Sequence, residues 1–347
     1  MWQQRWINWF WHWPKAVLAN WFYGFPSRRL IVIGVTGTAG KTSVCHLVQH
    51  ILQTAGFKTA LLSTVTVPGL HVTNPGPFLL QKLLRQYWRR HYTHVVLEVT
   101  SHGLDQYRNW GIKFSYGLIT NITHEHLDYH RTFTHYRQTK LKLLRQSRVP
   151  VKFRQSANFI QANQNAAAAI AAKLGVKRQI IRRAIKTFPG VPGRMETVYE
   201  KKFKVVIDFA HKPDALEQAL KFLRQKTRGK VIAVFGCAGQ RDRSKRPIMG
   251  QIAEQLADVV ILTAEDPRTE SVDEIIDQIE SGFKTGKRPY REPDRQKAIN
   301  LAIKLACPGD TVVCFGKSHE KSMCFGTIEY PWDEFRAVKK ALKLCNY

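Results

Sequence analysis

Gly34-Val-Thr-Gly-Thr-Ala-Gly-Lys-Thr-Ser43 is the stretch on which the reading of this chain turns. The apolar run at residues 30–33 ahead of it reads as a buried strand, and the apolar periodicity of residues 44–52 behind it reads as a helix. Strand, glycine turn and helix start together form a cradle in which backbone N–H groups and a helix N-terminus face an anion. In such a loop Lys41 reaches the β- and γ-phosphates of a nucleotide and the Thr42 hydroxyl ligates Mg²⁺. The spacing departs from the common Walker pattern, because Val35 stands where the first glycine would fall.

Working outward, strands are expected at residues 30–35, 59–62, 94–99, 116–120, 205–208, 231–235, 259–262 and 311–315. Helices are expected at 44–55, 78–89, 133–145, 165–174, 214–225, 249–256, 272–279, 296–305 and 334–344. Alternation of strands and helices along the chain predicts parallel α/β sheets. The paired Pro and Gly of Pro189-Gly-Val-Pro-Gly193 punctuate the pattern and divide it. The division gives a segment 1–27, a P-loop-type parallel-sheet ATPase domain over 28–190 and a Rossmann-like α/β domain over 191–347. A chain of 347 residues with 44% apolar content can bury two cores.

The formal net charge of +28 is far from ordinary. No acid occurs from Tyr129 to Ala162, while Arg131, Arg137, Lys140, Lys142, Arg145, Arg148, Lys152 and Arg154 accumulate there. A second basic block runs through Lys173, Lys177, Arg178, Arg182, Arg183 and Lys186. Such a surface favours anionic partners: phosphorylated substrates, anionic lipid or nucleic acid. No zinc-finger spacing or RNA-binding signature supports the last, so no nucleic-acid partner is expected. The six cysteines lack C-x-x-C spacing and fit reduced structural thiols.

The first 27 residues hold six of the nine tryptophans, Arg5, Lys15 and no acid. Trp2, Trp6, Trp9 and Trp13 fall at helical spacing, and Pro14 suits the first turn of a second helix through Phe22. Tryptophans on one face with scattered cations suit an interfacial membrane helix. A helix docked on the body of the protein, or an oligomer contact, accounts for the same pattern.

Glu98 closes an apolar strand, which puts its carboxylate at the C-terminal edge of a parallel sheet, where open α/β sheets bind ligands. A second strand ends in the polar cluster Asn121-Ile-Thr-His-Glu-His-Leu-Asp128. A carboxylate and an imidazole such as His126 from neighbouring strand ends can hold a divalent cation against phosphates.

Further motifs follow in order: Leu97-Glu-Val-Thr-Ser-His102, Thr120 to His130, Phe188-Pro-Gly-Val-Pro-Gly-Arg-Met-Glu196, Asp208-Phe-Ala-His-Lys-Pro213, Phe235 to Pro247, Glu265-Asp-Pro-Arg268 and Gly316-Lys-Ser-His-Glu320. With the loop they make a series that resembles the Mur ligases, most closely the synthetases that add the third residue of the peptidoglycan stem peptide. The resemblance implies ATP-dependent formation of an acyl phosphate, then capture by an amine. It implies that Gly37, Thr38, Ala39, Gly40, Lys41, Thr42 and Ser43 hold ATP, and that Thr42, Glu98 and His126 ligate Mg²⁺. Lys140, 14 residues after His126, matches a lysine that becomes carbamylated and helps position a second Mg²⁺.

By the same resemblance Arg194, Asp208 and His211 belong to a nucleotide contact contributed by the last domain, which closes over the one before. Thr73, Asn74, Thr100, Gln106 and Arg108 match positions for the muramyl-peptide acceptor. Arg241, Glu265, Asp266, Pro267, Arg268, Gly316 and Glu320 match the pocket of the incoming amino acid. A guanidinium there, as at Arg268, suits a diaminopimelate-like substrate with a second carboxylate. Glu265-Asp266 replaces the family's Asp-Asn, which leaves diaminopimelate and lysine both open. Ala238, Gln240, Ser244 and Ser318 replace the usual Gly, Asp, Gly and Gly.

The family's amino-terminal UDP-binding domain has no counterpart ahead of the loop, and residues 140–165 are short for the family's extra strands. A lipid-borne acceptor in place of a UDP-linked one suits the missing domain and the membrane-prone tryptophan-rich start, with a location in the cytoplasm or at the inner face of the plasma membrane. A ligase with another acceptor, of folylpolyglutamate or poly-amino-acid type, and an ATP-binding partner of a cell-wall complex are the rival readings.

Overall fold

The computed structural model describes residues 6–63, 65, 74–123 and 126–347, with the side chains of residues 127 and 128 excepted. The chain forms two compact units, Met1–Gly190 and Val191–Tyr347.

In the first unit five strands make one sheet: β1 (Ile31–Thr36), β2 (Thr59–Leu62), β3 (His94–Glu98), β4 (Phe114–Ile119) and β5 (Ser147–Val151), in the order β2-β3-β1-β4-β5. Every pairing is parallel. Side chains alternate along β1, so Ile33 and Val35 enter one core and Val32 the other. Burial on both faces explains why β1 to β4 read as apolar runs. β5 differs. It is an edge strand carrying Arg148 and Pro150, half-exposed in alternation, so its apolar signal is too weak to mark it in the sequence. It lies within the interval 140–165.

Because β1 lies between β3 and β4, the loops leaving their C-terminal ends meet. The helix Lys41–Thr54 follows β1 and buries Val44, Cys45, Leu47, Val48, Ile51 and Leu52 against the sheet. The helix Phe133–Gln146 covers the other face through Tyr136, Thr139, Lys140 and Leu143. The basic block at 173–186 contains a helix the periodicity missed, Arg178–Lys186, whose Ile181 and Ala184 are buried under its cations.

The second unit has six strands in the order β10-β9-β8-β11-β7-β6: β6 (Glu196–Glu200), β7 (Lys204–Asp208), β8 (Val231–Phe235), β9 (Val259–Leu262), β10 (Tyr290–Arg291) and β11 (Thr311–Phe315). The sheet is mixed rather than wholly parallel. β6 runs antiparallel to β7 and its half-exposed residues close one edge. A separate antiparallel hairpin, β12 (Ser322–Phe325) with β13 (Ile328–Pro331), follows β11. Core residues again alternate between two faces, Ile232 and Val234 on one, Ala233 and Phe235 on the other. The loops after β7, β8, β9 and β11 carry the remaining motifs.

The amino-terminal segment is a π-helical turn, Asn8–His12, running into the helix Trp13–Tyr23, with Pro14 in its first turn. The widened turn accommodates a proline that cannot donate to the preceding helix. Trp2 lies outside the described residues. Trp6 and Trp9 are exposed, whereas Trp13 packs edge-on against Trp110 at 6.0 Å, so the face inferred from spacing is split between solvent and the body of the unit. Among the described residues no helix is long and apolar enough to cross a membrane.

Candidate active site

The loop after β1 turns on two glycines in a backbone conformation that strains other residues. Gly37 and Gly40 have φ of 154° and 79°. A Cβ on Gly37 would sit 1.8 Å from Thr120 Oγ1, and one on Gly40 would sit 2.4 Å from Asn163 Oδ1. Gly40 caps the helix Lys41–Thr54 without a side-chain hydrogen bond, and the helix N-terminus is an anion-favouring end. The loop is pinned from β4: Thr38 N donates to Asn121 O (3.0 Å), Ala39 N to Asn121 Oδ1 (2.9 Å), and Thr120 Oγ1 to Ala39 O (2.6 Å). Lys41 Nζ folds onto the carbonyls of Gly37 and Thr38, 3.0 Å from each.

Thr42 Oγ1 donates to Glu98, 3.1 Å from both carboxylate oxygens, and Glu98 is 2% exposed. A carboxylate buried beside a neutral hydroxyl calls for a cation. The pair offers the hard oxygen donors that suit Mg²⁺. His126, with φ 54°, stands in ring contact with Tyr136 at 6.2 Å, and the Tyr136 hydroxyl meets Thr38 Oγ1 at 2.9 Å. Lys140, only 2% exposed, donates to Gly37 O at 2.7 Å. Burial, and then the charge of Lys41, hold Lys140 well below the ordinary lysine range. Lys41, Thr42, Glu98 and Lys140 therefore belong to one site, and Tyr136 links His126 to its loop. Tyr136 was given no role in the sequence reading, because a tyrosine in a helix carries no signal until the loop meets it; Asn121 was marked only as the start of a polar cluster.

A second network lies in the same unit. Asn74 Oδ1 accepts from the backbone N–H of Thr100 and from its hydroxyl (2.9 Å). Arg108 donates to Asn74 O (2.8 Å) and to Gln106 Oε1. Gln106 reaches the Tyr129 hydroxyl, which donates to Asp105 at 3.0 Å. Asn74, Thr100, Gln106 and Arg108 are thus together as expected; Thr73 lies outside the described residues.

In the second unit Asp208 ends β7 and accepts from Met195 N (2.7 Å) and Ala210 N (2.8 Å). Burial raises its pKa, against the pull of Arg194. The Arg194 guanidinium lies 4.2 Å from the Phe209 ring, and His211 Nδ1 stands 2.8 Å from Phe209 O. Ser318, where the usual residue is glycine, closes onto Gly193 O at 2.6 Å.

The motifs after β9 and β11 meet. Lys317 Nζ, 1% exposed, bridges Asp266 Oδ1 and Glu320 Oε2 at 2.7 Å each. Arg268 donates to Gly239 O (3.0 Å) and is held by backbone bonds to Cys324 and Gly326 of the hairpin. Glu265 packs against Gly316, whose missing side chain makes the space: a Cβ there would lie 2.4 Å from Glu265 Oε2. Burial pushes Glu265 up to about 8. Arg241 is the exception, exposed on the loop after β8.

The sequence reading also gave no role to a buried pair beneath this pocket. Arg295 meets Glu334 through Nε (2.9 Å) and Nη2, and donates to Ala264 O (3.1 Å) and Phe315 O (2.7 Å). It ties together the ends of β9 and β11 from which Glu265 and Gly316 emerge.

The sequence pattern of the Mur ligase middle domain matches residues 35–223, and that of the Mur ligase glutamate ligase domain matches residues 193–318. The UDP-N-acetylmuramoyl-L-alanyl-D-glutamate–2,6-diaminopimelate ligase of Aquifex aeolicus is 36% identical, over 93% of this chain and 80% of its own. That of Thermosynechococcus vestitus is also 36% identical, over 94% and 79%. A solved structure of a ligase of the same name superposes with TM-score 0.59 at 28% identity, covering 92% of this chain and 79% of its own. A bifunctional folylpolyglutamate synthase/dihydrofolate synthase with Mn, AMPPNP and L-glutamate bound shares the fold, with TM-score 0.68 at 17% identity over 96% and 94%.

Proposed function

The chain belongs to the Mur ligase family of ATP-dependent acid–amino-acid ligases, and from that we propose that it joins meso-diaminopimelate to the peptide of a muramyl-peptide precursor of peptidoglycan. One observation carries the choice of amino acid: 36% identity, over nearly the whole chain, to ligases named for diaminopimelate. Arg268, fixed by the hairpin backbone, supports it, since a guanidinium there can grip the second carboxylate through two parallel hydrogen bonds. Lysine lacks that second carboxylate.

In this reading the acceptor carboxylate attacks the γ-phosphorus and the bond to the β-phosphate oxygen breaks, giving an acyl phosphate and ADP. The amine then attacks the acyl carbon; phosphate leaves and the amine loses a proton. The protein needs to neutralise phosphate charge and hold the partners in line rather than supply a nucleophile. Lys41 and the first-turn N–H groups of its helix would cradle the phosphates. Thr42, Glu98 and His126 would hold Mg²⁺, which supplies charge neutralisation. Arg194, Asp208 and His211 would be further nucleotide contacts.

Burial holds the Lys140 amine well below the ordinary lysine range, which favours the neutral form that carbamylation requires. The neutral nitrogen would attack CO₂ and release a proton, leaving a carbamate anion able to position a second Mg²⁺. Asn74, Thr100, Gln106 and Arg108 would bind the acceptor peptide.

The test is phosphate release with ATP, Mg²⁺, a muramyl-dipeptide acceptor and one amino acid at a time. Release should require both acceptor and amino acid, and diaminopimelate should exceed lysine. Arg268→Ala should raise KM for diaminopimelate about tenfold or more while leaving KM for ATP unchanged. Equal rates with lysine, or an unchanged KM in Arg268→Ala, would remove the amino-acid assignment.

A further inference from the structure

The helix Trp13–Tyr23 is packed inside out. The face it turns to the body of the first unit is made of Ala16, Ala19 and Asn20, all fully buried. Asn20 fixes it there with a bond to Trp110 O at 2.8 Å, over Gly111, whose missing side chain allows the approach. The face it turns to solvent carries Trp11, Lys15, Leu18, Trp21 and Phe22 at helical spacing, the four apolar ones 61–74% exposed. Trp6, Trp9 and Phe10 extend the same exposure, at 54–62%. A soluble helix ordinarily buries such residues and exposes the alanines. The ridge presents on the order of 800 Å² of apolar surface, at ~150–250 Å² per large aromatic side chain, more than the ~300–600 Å² of the largest patch on a typical monomer.

Charge selects the occupant. Residues 1–97 contain ten Lys and Arg and no Asp or Glu, and residues 1–190 contain twenty-six against four, so most of the +28 lies in this unit. Lys15 sits 3.9 Å over the Trp11 ring, and Arg28, Arg29, Lys82 and Arg89 are exposed on this segment and the adjoining helix Pro77–Arg89. Tryptophan bodies rimmed by cations match a bilayer surface carrying anionic headgroups. A second copy would bring like charge against like. Single-stranded nucleic acid needs free ring faces, and Trp6 already stacks on Phe10 at 4.9 Å and Trp9 on Trp13 at 5.3 Å.

The segment is also wired to the acceptor-side network. Asn8 donates to Asp105 at 2.9 Å, and Asp105 accepts from Tyr129, which holds Gln106 beside Arg108. We propose that this aromatic, cation-rimmed ridge docks the first unit on an anionic lipid bilayer, and that the acceptor it takes there is lipid-borne. The second half rests on the ligase reading above; the first does not.

The experiment is flotation of the full chain with vesicles of phosphatidylglycerol and phosphatidylcholine, against phosphatidylcholine alone. Tryptophan quenching by brominated acyl chains is read in parallel. The protein should float with the anionic vesicles, and Trp11→Ser/Leu18→Ser/Trp21→Ser should lower binding about tenfold or more with melting temperature and ATP turnover unchanged. Arg28→Ala/Arg29→Ala should weaken it in a salt-dependent manner. Absence of flotation overturns docking, as does a dimer in buffer that the triple variant dissolves, or displacement from vesicles by single-stranded DNA. Lys41→Ala should still float, so loss of ligase activity and loss of docking are separable. Equal turnover of a soluble and a vesicle-borne acceptor by the floating protein would overturn the acceptor class.

Discussion

Replacing Glu334 by Gln tests whether the pocket in the second unit is held from beneath. Arg295 and Glu334 are 2% and 0% exposed, and Arg295 spends its remaining donors on the carbonyls of Ala264 and Phe315. Glu334→Gln leaves the guanidinium buried without its counter-charge, a change that costs about 3–5 kcal/mol. Against a total stability of roughly 5–15 kcal/mol that is a large fraction. For a unit of this size it corresponds to a fall of about 6–20 °C in melting temperature.

Trp332 is the single tryptophan of residues 191–347, and its indole donates to Glu334 at 2.7 Å. Fluorine NMR of 5-fluorotryptophan-labelled protein therefore follows this unit apart from the other. Arg295→Met/Glu334→Leu should recover most of the loss, because an apolar pair avoids the desolvation of both charges. Its KM for the amino acid should nevertheless stay raised, by about tenfold or more, since the Arg295 bonds to Ala264 O and Phe315 O are then gone from the ends of β9 and β11. A loss below about 1 kcal/mol in Glu334→Gln, or an unaltered KM in the double variant, would refute the reasoning.

Lys41→Ala should lower ATP turnover by about 10²- to 10⁴-fold with little change in melting temperature, and turnover within tenfold of the parent would remove the loop from the phosphate site. Glu265 should make stability pH-dependent. Its folded pKa of about 8 lies above the ordinary 4.5, so the folded state holds the proton more tightly, and the stabilisation is complete below about pH 4.5 and lost as pH rises to about 8. The loss is about 3–5 kcal/mol, and Glu265→Gln should flatten the curve over that window; parallel curves for parent and variant would show Glu265 to be ionised throughout.

Much of the fold was legible because both sheets bury two faces. Strands such as Val231–Phe235 and Thr311–Phe315 are apolar at every position, and the helices between them keep a 3.6-residue period. Legibility failed at edges. β5 and β6 are half-exposed, β10 is two residues long, and the hairpin β12–β13 follows no α/β alternation. The Arg178–Lys186 helix was hidden by the cations that make its outer face.

By itself the sequence determined the local chemistry: a glycine loop that only a phosphate-binding turn needs, a carboxylate closing an apolar strand, and ordered motifs that place the chain among the Mur ligases. Each of these is fixed by neighbours in the chain, through backbone conformation or side-chain period. The tertiary structure decided what neighbours cannot encode. It paired Thr42 with Glu98, set Lys140 against Gly37 O, joined Lys317 to two carboxylates and left Arg241 in solvent. It also turned the tryptophans of the first helix outward, because Asn20 and two alanines, not the aromatic rings, fit the surface beneath. Those outcomes rest on sheet order and close packing between residues far apart in the chain, which spacing along the sequence does not carry.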